Sequence, residues 1–268
     1  VKKGAVIFGS TANAFGSVSN VITLGSAGDG SASLVGTASG GTATLANNII
    51  VASGTGGTLL LGSNGNGAYN TTFSGTLTLN GDVSLISGRP AGNDVRYTNV
   101  ISGVGSVTTV GGGKTQFGNG VANIVNTYRG NTTLADGSSL ALSDNTKMTF
   151  YIGNSGENNK ITATGIQNVL TLDGDFVFDL TGAAANGTWQ IVDVSLLAET
   201  FSSTFSVYTS TNLTNPWTEN ANVWTYVNGG VTYSFSEATG ILTAVPEPTT
   251  ALLFGGGLMV LLLRRRRA

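Results

Sequence analysis

Cysteine and histidine are both absent from this chain of 268 residues. Without cysteine there is no disulfide, no thiol chemistry and no thiolate metal site. Without histidine the commonest general base and the commonest metal ligand are missing, and a Ser-His-Asp triad has no base. Charged residues make up only 10% of the chain, and four of the twelve basic ones form the terminal run Arg264, Arg265, Arg266 and Arg267. Outside that run there is no basic stripe, so nucleic acid is not an expected partner. Proline is rare, with four residues against forty glycines. These scarcities favour a non-enzymatic protein without a cofactor or metal.

Little charge does not mean disorder here. Disordered chains combine low hydrophobicity with high net charge. This one is 40% hydrophobic with a net charge of −2. Its apolar residues fall in short Val/Leu/Ile/Thr runs cut by glycine and asparagine, which reads as many short strands joined by tight turns. Leu77, Leu79, Val83 and Leu85 alternate with polar residues across Gly81, the mark of a half-buried strand bent at the glycine. Ala43, Leu45, Ile49 and Val51 repeat the pattern around Asn47. Gly75, Gly103 and Gly130 recur 28 and 27 residues apart, with Gly40 before them. A loose period of roughly 20–35 residues without an amphipathic helix predicts a solenoid. The fold expected is all-β, a parallel β-helix over residues 1–147, with a β-sandwich as the alternative.

From Met148 the texture changes. Most of the acids and all three tryptophans, Trp189, Trp217 and Trp224, lie beyond this point. Leu170, Leu172, Phe176, Phe178 and Leu180 alternate with Thr171, Asp173, Asp175, Val177 and Asp179. Residues 148–244 are therefore expected to form a β-rich cap that seals the open end of the solenoid, with the tryptophans in its core. Asp173, Asp175 and Asp179 read as a solvated strand face rather than a carboxylate site. Gly111-Gly112-Gly113-Lys114-Thr115 lacks the first glycine of a phosphate loop and reads as a solenoid turn. Gly28-Asp29-Gly30 occurs once, without the periodic aspartates of a calcium repeat. Gly153-Asn154-Ser155-Gly156 lacks the second glycine of a nucleophile elbow.

The last segment, residues 245–268, has three parts in order. Pro246, Glu247 and Pro248 come first, then the apolar run Thr249–Leu263, then Arg264–Arg267. As a helix the run is roughly 22 Å long, against about 30 Å of hydrocarbon. Gly255, Gly256 and Gly257 weaken it further. The arginines mark the cytoplasmic side and place the body of the protein outside. This order resembles the PEP-CTERM sorting signal. The resemblance implies an exosortase-type membrane protease that recognises Pro246, Glu247 and Pro248 and removes the short hydrophobic helix. It further implies transient membrane contact through residues 249–263, a tethered precursor, and delivery to the cell surface or beyond.

The runs Ala43–Val51, Phe73–Leu79 and Asn126–Leu134 resemble the autotransporter-associated β-strand repeat. That resemblance implies a β-helical surface passenger. The chain begins Val1-Lys2-Lys3 with no signal peptide in view, so it is read as a C-terminal fragment. The functional expectation is a structural or adhesive biofilm solenoid with exopolysaccharide as a partner. The alternatives are an extracellular polysaccharide lyase on the same scaffold, built on Arg89, Arg96 and Arg129 with Asp82 and Asp94, a glycoside hydrolase using paired carboxylates among Asp173, Asp175 and Asp179, and a bare spacer.

Overall fold

A computed structural model describes residues 1–9, 14–37, 41–65, 69–88 and 94–247. The fold within them is all-β and is a parallel solenoid. Among the described residues the strands of successive coils stack on three faces. Face 1 stacks seven strands, from Gly4–Phe8 through Ala32–Gly36, Leu59–Ser63, Val83–Ser87, Val107–Val110 and Thr132–Leu134 to Ile161–Ala163. Face 2 stacks seven more, from Ala43–Leu45 to Ala198–Phe201. Face 3 consists of two four-stranded sheets that meet between Ile101–Gly103 and Ile124–Asn126. The parallel pairings exclude the sandwich alternative.

Register explains the alternation. Leu34, Leu61 and Leu85 stack directly inside face 1, and Leu45, Phe73, Tyr97, Phe117 and Leu142 stack inside face 2. All of these side chains are buried. Full burial of each such side chain contributes about 1.5–3 kcal/mol. Phe73 and Tyr97 lie parallel with centroids 5.0 Å apart, and Phe117 meets Tyr97 edge-on. Outside face 1, Ser33, Leu60, Ser84, Thr108, Thr133 and Thr162 form a ladder. β-Branched and hydroxylated side chains suit such a pleated, half-exposed surface.

Corners set the coil length. Register advances by 24–29 residues between neighbouring face 1 strands. Leu77–Leu79 and Val83–Ser87 belong to different faces, so the bend at Gly81 is a coil corner. The glycines that stack there are Gly81, Gly105 and Gly130. A Cβ on Gly105 would run into the Gly81 carbonyl oxygen, and one on Gly130 into that of Gly105. This corrects the glycine register read from the sequence. Gly75 lies at the corner between faces 2 and 3, and Gly103 ends a face 3 strand. Gly40 lies outside the described residues.

Corner asparagines and aspartates carry hydrogen bonds where the backbone ladder is interrupted. Thr76 N–H donates to Asn48 Oδ1, Ser106 N–H to Asp82 and Ile166 N–H to Asp136, each at 2.7–2.9 Å. Asn159 replaces a missing strand segment. Its Nδ2 donates to the Thr149 carbonyl at 3.1 Å, and its Oδ1 accepts from Tyr151 N–H at 2.7 Å. Asn159 is buried, so its loss leaves two backbone groups unpaired. We expect Asn159→Ala to lower stability by about 2–4 kcal/mol in urea unfolding. A loss under about 0.5 kcal/mol would show that water takes over both bonds.

The boundary expected at residues 147/148 falls inside the strand Thr146–Tyr151. Parallel coils continue beyond it, through Val169–Leu172 and Asp175–Asp179 to Val207–Thr209. The cap itself is an antiparallel sheet of five strands: Gly187–Gln190, Ile241–Pro246, Val231–Ser236, Val223–Asn228 and Thr218–Asn220, in that spatial order. Phe235 inserts from this sheet against Phe176, Phe178, Phe201 and Phe205 at centroid distances of 5.7–6.4 Å. An aromatic layer thus closes the C-terminal end of the stack. Trp189, Trp217 and Trp224 are all buried. The short hydrophobic helix expected over Thr249–Leu263 lies outside the described residues, among which no helix is long and apolar enough to cross a membrane.

Candidate functional site

Face 3 carries a polar groove that joins side chains from three successive coils. Tyr151 and Asp179 are direct partners in the ladder. Arg129, from the preceding coil, lays its guanidinium over the Tyr151 ring, 4.0 Å from the centroid. The ring is fixed by its hydroxyl, which donates to the Thr127 carbonyl at 2.9 Å. Glu157, Asn158, Thr181 and Gly182 complete an open groove of about 420 Å³. Partial burial raises the Tyr151 phenol above its ordinary pKa; Arg129 opposes the rise and Asp179 adds to it. Arg129 and Asp179 share no signal in the sequence, because no spacing motif joins three coils.

The Arg and Asp residues weighed for a lyase site are dispersed. Asp94 is buried on face 2 between Arg96 at 3.1 Å and Lys114 at 3.3 Å. Lys114 follows the Gly111–Gly113 turn, which is a solenoid corner between faces 1 and 2. Arg129 is on face 3, Asp82 holds Ser106 at a corner, and Arg89 lies outside the described residues. The three aspartates assigned to a solvated face also separate. Asp173 lies at a corner, and Asp179 lines the groove. Asp175 is buried and forms an ion pair with Lys147 at 2.6 Å. Lys147 Nζ also lies 4.5 Å from the Tyr208 ring centroid. Desolvation raises the Asp175 carboxyl above its ordinary pKa, while the Lys147 hydrogen bond and charge oppose the rise. Among the described residues no three metal-binding side chains converge.

The sorting segment starts on the cap. Pro246 ends the strand Ile241–Pro246 and pairs with Val231. A proline fits there because a strand end needs no further donor. Glu247 N–H donates to the Gly230 carbonyl at 2.8 Å, and Thr232 Oγ1 approaches its carboxylate at 3.4 Å. Both residues are exposed. Pro248, the apolar run and Arg264, Arg265, Arg266 and Arg267 lie outside the described residues.

Fold and tail together define a parallel β-solenoid that carries a C-terminal sorting segment. The family model of the PEP-CTERM protein-sorting motif matches residues 244–267. That motif is a signal recognised by exosortase, a membrane protease, and indicates exosortase-dependent export to the cell surface. No curated protein and no solved structure matches the chain.

Proposed function

We propose that the chain is a structural, adhesive β-solenoid of the extracellular matrix. It is held first at the inner membrane through residues 249–263 and then released to the surface by exosortase. The observation that carries this reading is the outward ladder of Ser33, Ser84, Thr108, Thr133 and Thr162 on a continuous parallel sheet. Strands are about 4.8 Å apart, so hydroxyls recur along the axis at that interval from Ser84 to Thr162, and Leu60 separates this run from Ser33. Such a surface makes many weak contacts with glycans or neighbouring proteins, and their effect multiplies. The resemblance to autotransporter-associated repeats fits the same role. Acids in the coils serve as staples: Asp82 and Asp136 hold backbone N–H groups, and Asp175 is paired with Lys147.

One observation favours the second reading, a carbohydrate-active enzyme: the Asp94–Arg96–Lys114 cluster sits on a single sheet face. One experiment separates the two. Cells that export the chain are compared with cells lacking it for attachment under flow. The purified protein is then incubated with their exopolysaccharide. The structural reading expects weaker attachment without the chain, and no release of reducing ends or unsaturated uronates. Catalytic release of either product, abolished by Arg96→Ala, would overturn it.

A further inference from the structure

We propose that the Arg129–Tyr151–Asp179 groove binds a neutral hexose polymer. The proposal rests on the matrix reading above and gives its glycan contact a place and a chemistry. The groove holds polar groups in fixed positions with spare hydrogen-bonding capacity. Arg129 offers a planar fork of five N–H donors, and no described residue pairs with it in an ion pair. Stacking on Tyr151, itself tied to Thr127, orients that fork.

Three acceptor oxygens are fixed from behind. Asp179 Oδ1 accepts from Thr181 N–H at 3.1 Å and Thr181 Oγ1 at 2.6 Å, which leaves Oδ2. Glu157 Oε2 accepts from Asn154 N–H at 3.2 Å and Nδ2 at 2.9 Å, which leaves Oε1. Asn158 Nδ2 donates to the carbonyls of Asn159 and Gln190, each at 2.8 Å, which leaves Oδ1. None of the three remaining oxygens takes a hydrogen bond from a described residue. One donor fork and three acceptors beside an aromatic ring suit the hydroxyls of a pyranose, each of which both donates and accepts. The groove is open, so a polymer can run through it rather than end in it.

Charge selects the class of glycan. Asp179 and Glu157 outnumber Arg129, so the groove is net negative and disfavours uronates and phosphates. A neutral hexose loses nothing to that field.

The test is affinity electrophoresis of the full chain in mild detergent. Gels contain dextran, β-glucan, mannan or galactan, and one contains alginate. At least one neutral polymer is expected to retard the protein. Arg129→Ala should weaken that retardation about tenfold, because a charged donor fork is lost. Lys3→Ala, an exposed lysine on the first coil, should not. Arg129 is exposed, so its loss leaves the core intact. Retardation that survives Arg129→Ala would overturn the groove but leave the matrix reading standing. Retardation by alginate alone would overturn the neutral chemistry. No retardation by any polymer would overturn both.

Discussion

Gly105→Ala is expected to lower stability by more than about 3 kcal/mol, or to prevent folding. The new Cβ would collide with the Gly81 carbonyl oxygen and sit 3.2 Å from the Asp82 nitrogen. Neither neighbour is the end of a flexible side chain. Both are backbone atoms held by the coil stack, so relief requires the coils to separate. Gly112→Ala is the control. Nothing lies within 4 Å of its would-be Cβ, and its φ is not in the left-handed region. It should be neutral or stabilise by about 0.4–1 kcal/mol through the unfolded chain. Because each coil contacts only its neighbours, the damage should be local. Hydrogen exchange should lose protection first around residues 77–134 and last in the cap. Equal stability of the two variants would contradict the glycine corner.

Lys147→Met should lower stability by about 3–5 kcal/mol near neutral pH, because it strands the buried Asp175 carboxylate. Adding Asp175→Leu should restore most of the loss, since the pair then becomes apolar. The pH dependence follows from the direction of the Asp175 shift. Its folded-state pKa lies above the unfolded value, so its ionisation in the folded state opposes stability as pH rises through that range. Removing Lys147 takes away its hydrogen bond and its charge, two of the three influences that hold the value down, and leaves the Ser206 backbone hydrogen bond. The variant's deficit should therefore begin to shrink as pH falls through the raised folded-state pKa, and the shrinkage is complete only below the ordinary carboxylate pKa of the unfolded chain, where Asp175 is neutral in both states. Equilibrium unfolding of wild type, single and double variants at neutral and acidic pH measures this. A deficit independent of pH would mean that Lys147 acts through packing alone.

The strands were largely legible because core and surface alternate with period 2. Leu77, Leu79, Val83 and Leu85 are all buried as that pattern requires. The bend at Gly81 was legible too, since an interior glycine has no side chain to pack. Coil register was not. Similar strings of letters aligned Gly75 with Gly103 and Gly130, whereas Gly81, Gly105 and Gly130 are the glycines that meet. That stacking depends on which carbonyl lies over which corner, and coil length varies too much for a fixed period to reveal it.

The same limit hid the later coils. Beyond residue 147 the loops between strands lengthen, and the repetition disappears from the sequence while the parallel pairing persists. Asp175 was placed on a solvated face by alternation alone. Its partner Lys147 lies 28 residues earlier in the ladder, and both are buried. The tail differs from all of these because its information is linear. Pro246 and Glu247 are exposed, and the matched motif is a run of consecutive residues that needs no partner from another coil.

The most direct test of surface export is the intact mass of the protein recovered from cells with and without exosortase. With the protease, surface protein should lack Arg264–Arg267 and the apolar run before them. Without it, the protein should stay in the membrane fraction with its tail intact. Surface protein that keeps the full tail, or the same mass in both strains, would contradict the account.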